Sequence, residues 1–131
     1  MKNKKVISIF LFISIFGLFL PWFFFDKDVD YTNGLYWLSY TPLLLISLFT
    51  CVIILLINKV SKTINVIFFL SSLLVSVSCI YLFFTWHILN ITGQIDVMVS
   101  LKNTHYGFYI TFISVIIVNI LSGLNLVKEK I

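Results

Sequence analysis

The chain has 131 residues, with no arginine, no alanine, two cysteines and two prolines, and only 11% of it is charged. Without arginine there is no bidentate clamp for phosphate or carboxylate. Without alanine, the small residues left for close helix contact are Ser, Gly, Thr and Cys. A soluble domain is usually about 25% charged and roughly 45–50% apolar, whereas this chain is 60% hydrophobic. A protein this small keeps too much surface to hide that excess from water. A soluble globule, a disordered chain and a nucleic-acid-binding domain are thereby excluded, and an integral membrane protein remains. Cys51 and Cys79 lie inside apolar runs without C-x-x-C spacing. Neither a disulfide framework nor a zinc site is suggested, and the two read as small apolar packing residues. The Ile, Phe, Asn and Lys bias without Ala or Arg fits an AT-rich genome and points to a bacterial source.

What is present is four long apolar runs, 6–25, 40–58, 64–86 and 106–126, of 20, 19, 23 and 21 residues, none containing Asp, Glu, Lys or Arg. At helical rise each reaches roughly 30 Å, the thickness of a bilayer's hydrocarbon core. The predicted fold is an all-α integral membrane protein, a four-transmembrane-helix up-down bundle forming a single membrane domain over 1–131. The start, MKNKK and an apolar stretch, has the outline of a signal peptide. The apolar stretch is too long, however, and ends in Leu20-Pro21-Trp22 rather than at small residues, so it reads as an uncleaved helix.

Lysine placement sets the expected orientation. Lys2, Lys4, Lys5, Lys59, Lys62, Lys128 and Lys130 fall on one side, and Lys27 and Lys102 on the other. The positive-inside rule then places both termini in the cytoplasm of a multi-pass cell-membrane protein. The connection 59–63 is short enough for a tight helical hairpin, with Ser61 or Thr63 as helix cap. The outer connections are longer. In the second, Ile95, Val97, Val99 and Leu101 alternate with Asp96, Met98 and Ser100, the period of a half-covered strand, after a Thr92-Gly93-Gln94 turn. Val29 and Tyr31 alternate in the same way in the first. A small extracellular hairpin or sheet cap is expected.

All three tryptophans and five of six tyrosines fall at the outer side, with Tyr81 one turn deeper. Such rings anchor in an interface, and Trp22, Tyr31, Tyr36, Trp37, Tyr40, Trp86 and Tyr106 are candidates for an outward interaction surface. Small and hydroxyl residues at helical spacing mark candidate packing faces: Ser14 and Gly17; Ser47 and Cys51; Ser72, Ser76 and Cys79; Gly107, Thr111 and Ser114. Asn58, Asn65, Asn119 and Asn125 can hydrogen-bond between helices.

Chemistry is harder to find. A pump or coupled transporter normally needs an ionisable group at membrane depth, and the four runs have none. The acids of Asp26-Lys27-Asp28-Val29-Asp30 could gather a hard cation. An EF-hand, though, needs Gly at its sixth position and Glu at its twelfth, where Tyr31 and Trp37 stand. His87, His105 and Asp96 could share a metal or acid–base site, but no H-E-x-x-H or G-x-S-x-G motif accompanies them. No enzyme activity, metal or cofactor is expected.

Leu20-Pro21-Trp22 followed by Gly34-Leu35-Tyr36-Trp37 resembles a pattern of claudin-type four-helix membrane proteins. There, a Trp after helix one and a G-L-W element belong to an extracellular sheet. The likeness covers about 20 residues and the four-helix layout, with the Tyr106-Gly107 start of helix four. The first outer loop lacks the family's cysteine pair and is short, so the likeness implies architecture and not junction formation. Uncharacterised bacterial four-helix proteins with an L-P-W element are similar too. The expected function is interaction with lipid and with another membrane protein or a second copy, as in an accessory or immunity-type protein. An oligomeric small channel or transporter subunit is the alternative. No nucleic acid partner is expected.

Overall fold

A computed structural model describes residues 4–24, 31–57, 61–86 and 97–129. The elements in chain order are α1 (Lys4–Gly17), β1 (Pro21–Phe24), β2 (Tyr31–Asn33), α2 (Gly34–Tyr40), α3 (Pro42–Leu56), α4 (Lys62–Thr85), α5 (Val97–Asn103) and α6 (Tyr106–Glu129). The protein is mostly helical, with one two-stranded antiparallel sheet in which Phe23 pairs with Thr32 and Phe24 with Tyr31.

α1 buries Ile7, Leu11, Ser14 and Gly17, one stripe at helical spacing. Its opposite face, including Ile9, Phe12 and Phe16, is equally apolar and exposed. A helix apolar all round belongs in lipid or in a large core. The predicted run to Phe25 does not stay helical. Leu18 and Leu20 tighten the end by donating to Ile15 and Gly17 carbonyls at 3.0 and 3.2 Å, and the chain then turns into β1. The cause is Pro21, which lacks an N–H and steers its predecessor out of the helical region. Hydropathy does not register that event.

The second predicted helix is also broken. Asn33 caps α2, its Oδ1 accepting from the Tyr36 N–H at 3.0 Å. Thr41, preceding Pro42, leaves the helical region at φ −125° and ψ 84°, and α2 and α3 meet at 110°. Pro42 opens α3 at its first turn, where a missing N–H costs nothing. α4 starts from Ser61, whose Oγ accepts from the Ile64 N–H at 3.2 Å. α4 (mean hydropathy 2.4) and residues Tyr106–Lys128 (2.2) are each long and apolar enough to cross a membrane, and the bent α2–α3 pair together would be a third such segment.

The alternation read as a strand over 95–101 is helical from Val97, as α5. Met98 and Ser100 do not demand water, so the pattern was weakly binding. Among the described residues, Thr104 bridges to Phe23 on the edge of β1 away from β2. Residues 87–96, including the predicted turn, lie outside the described residues.

The long helices pack antiparallel. The end of α1 meets the start of α6, where a Cβ on Gly107 would lie 2.5 Å from the Pro21 carbonyl oxygen. Late α4 meets early α6 through Phe83 and Phe108, ring centroids 5.8 Å apart, and early α4 meets late α6 through Phe69 and Gly123. The α2–α3 bend meets late α4, with Tyr40, Pro42 and Leu43 facing Val77 and Tyr81 across a groove of about 380 Å³. One end of the bundle therefore carries the sheet and its aromatic residues. The other carries Lys4, Lys5, Lys62 and Lys128.

Candidate interaction surface

The aromatic end is built around β1. Trp22 and Phe23 are fully buried, Trp86 is 2% exposed and Trp37 is 7% exposed. The Trp22 indole N–H donates to the Gly17 carbonyl at 2.9 Å, closing the end of α1. Its own carbonyl accepts the His105 N–H at 2.7 Å, tying β1 to the start of α6. Phe23 stacks on Trp86 with centroids 4.8 Å apart, and meets Trp37 edge-on at 5.6 Å and Phe108 at 5.3 Å. Such pairs contribute about 0.5–1.5 kcal/mol each beyond area burial. Thr32 links the layers: its Oγ1 accepts from the Trp37 indole at 2.8 Å and donates to the Phe23 carbonyl at 3.2 Å. Gly34 lets α2 lie directly on this cluster, for a Cβ there would stand 2.6 Å from Trp22 and 2.8 Å from the Leu18 backbone.

This corrects the sequence reading of the tryptophans. Trp22, Trp37 and Trp86 are the inside of the cap, not its outward surface. An indole suits an interface and a core equally well, and residue type alone does not separate them. Tyr36, Tyr40 and Tyr106 are exposed, at 40%, 67% and 52%. Of Tyr31 only the backbone, in β2, is described. Tyr36 and Tyr40 stand one helical turn apart on α2, centroids 4.9 Å apart. Leu35 and Ser39 complete the exposed face of α2. Phe23, Thr32 and Phe108, which help organise the cap, are not singled out by the sequence, and Gly34 enters there only as part of the Gly34-Leu35-Tyr36-Trp37 element. The signal that could have found them was Phe23 alternating with Pro21 as in a strand, and Gly34 directly after a capping Asn33.

The small residues lie at helix contacts. Gly17 faces Thr111 and Gly107 so closely that a Cβ would collide with Thr111 Oγ1. Thr111 donates to the Ser14 carbonyl at 2.9 Å, joining α1 to α6. Asn119 donates to Ser76 Oγ between α6 and α4, and Ser76 donates to the Ser72 carbonyl at 3.3 Å. Ser47, Cys51, Cys79 and Ser114 are buried, with Ser47 donating within its own helix and both thiols free. Among the described residues, no three His, Cys, Asp or Glu side chains are placed to hold a metal. His87, Asp96 and the acids of 26–30 lie outside them, and His105 sits half-buried against Tyr106. No family model, curated protein or solved structure matches the chain.

Proposed function

We propose that the chain is a four-span protein of the cell membrane, both termini cytoplasmic, that acts without catalysis by binding another membrane protein through the rim of its aromatic cap. The observation that carries this reading is α2. Its Trp37 is locked into the cap while Leu35, Tyr36, Ser39 and Tyr40 are displayed on one exposed face. Exposed tyrosines on a rigid support contribute large contact area at little entropic cost, the character of an interface hot spot. The four-span layout is supported by lengths. α1, 14 residues, covers about 21 Å, and the following turn and strand supply the rest of a bilayer core of roughly 30 Å. Non-helical backbone at such depth is tolerated where protein covers it, and Trp22 and Phe23 are wholly covered. The strand bearing Trp22, with Gly34-Leu35-Tyr36-Trp37 folded back on it, is in keeping with a claudin-like layout. An accessory or immunity-type role in a bacterial membrane is the process this reading implies.

A photoreactive phenylalanine analogue at Tyr36 or Tyr40, activated in intact cells, tests it. The expected result is one identified membrane protein captured from both positions and not from Ile46, on the exposed face of α3. Crosslinks only between copies of the chain would redirect the reading to a homo-oligomer. Ion flux through reconstituted protein, with no capture, would redirect it to a channel.

A further inference from the structure

The two ends of the bundle differ chemically. α1 opens with Lys4 and Lys5, α4 with Lys62, and the last turn of α6 holds Lys128. α6 packs against both α1 and α4, so three elements bring these four lysines to one end. The sequence adjoining them adds Lys2, Lys59 and Lys130, and of the five acids only Glu129 belongs to these segments. The stretches around these lysines, 1–6, 58–63 and 124–131, hold no Trp or Tyr, the residues that crowd the opposite end.

We propose that the lysine end is a binding surface for anionic phospholipids of the leaflet it meets. The inference rests on the membrane reading above. Three observations select this partner. The first is charge: packed helices lie about 8–10 Å apart, so a phosphate between two of them sits within roughly one Debye length of both lysines. The second is what adjoins the charge. Val6 and Ile9 on α1 and Leu124 and Val127 on α6 are exposed and stand within four positions of Lys5 and Lys128 along their helices. A ligand that satisfies both must carry an anionic head on apolar tails, which a soluble polyanion does not. The third is the absence of arginine. Lysine recognises an anion as a point charge and not through a bidentate fork, so the surface selects by charge and tolerates different headgroups.

The full-length protein is reconstituted in phosphatidylcholine vesicles containing a minority of phosphatidylglycerol, and the lipid retained after mild detergent extraction is identified. The expected enrichment of phosphatidylglycerol is about fivefold, equivalent to one lysine near an anionic surface. Phosphatidylserine behaves alike, and high salt removes the preference. The Lys4→Gln, Lys5→Gln, Lys62→Gln, Lys128→Gln variant loses it, the same four positions as Arg keep it, and Lys102→Gln, in α5, leaves it unchanged. Equal retention of both lipids by the natural chain overturns the proposal. So does a preference that survives in the Gln variant, persists in salt or vanishes with Lys102→Gln. If the Gln variant fails to fold, the salt and Arg arms still decide. A chain that enters no bilayer at all sinks the membrane reading instead. Full incorporation without lipid preference sinks only this surface.

Discussion

Gly17 shows how much one hydrogen atom in place of a methyl can decide. Its missing Cβ is the space that Thr111 Oγ1 occupies, and that hydroxyl holds the Ser14 carbonyl at 2.9 Å. Gly17→Ala forces α1 away from α6 and is expected to cost about 1–3 kcal/mol, as overpacking does. Thermal unfolding in detergent measures it. Adding Thr111→Ala removes the obstructing oxygen, so the double variant is expected to be less damaged than the sum of the two single ones, the mark of direct coupling. Strict additivity would mean that the two residues do not meet. At this scale the sequence was partly legible. Small residues at helical spacing stand out because lipid offers no other reason for them. The tryptophans were misleading, since their amphipathic rings satisfy a membrane interface and a buried cap with the same chemistry.

Elements were legible where a local rule applied and lost where two rules competed. Ser61 announces α4, and the structure places its Oγ on the Ile64 N–H. Pro21 is equally visible, yet it stands within a run so apolar that hydropathy carries a helix through it. Only its fixed φ and missing donor say otherwise. The hairpin it starts is held by Thr32, which serves two layers at once. Thr32→Val keeps the shape and removes both bonds, leaving the Trp37 indole N–H and the Phe23 carbonyl without this partner. The expected loss is about 0.5–1.5 kcal/mol for each hydrogen bond removed, with a shift in tryptophan fluorescence. An unchanged unfolding midpoint would show that the hairpin is held by ring packing alone.

For the whole molecule, hydropathy made legible the helices long and apolar enough to cross a membrane, but not which helices touch. Exposed Ser39 and Thr63 lie near opposite ends of the bundle. In a chain with both native thiols replaced by serine, Ser39→Cys is expected to react with an impermeant maleimide on whole cells, and Thr63→Cys only after lysis. The reverse pattern would invert the proposed orientation. The neighbour relations needed the structure, because α1 finds its principal partner in α6, the hydrogen-bonded Ser14 and Thr111 being 97 positions apart in the chain.

That pairing of first and last has a bearing on how the protein is made. Synthesis at about 5–20 residues per second releases the opening helix well before the closing one exists. Until then the grooved side of α1 waits unclasped, and the Trp22 carbonyl has no His105 N–H to receive. A ribosome halted after α5 would leave a product holding both strands but no lid over them. The arrival of the final helix is what completes the packing of the first.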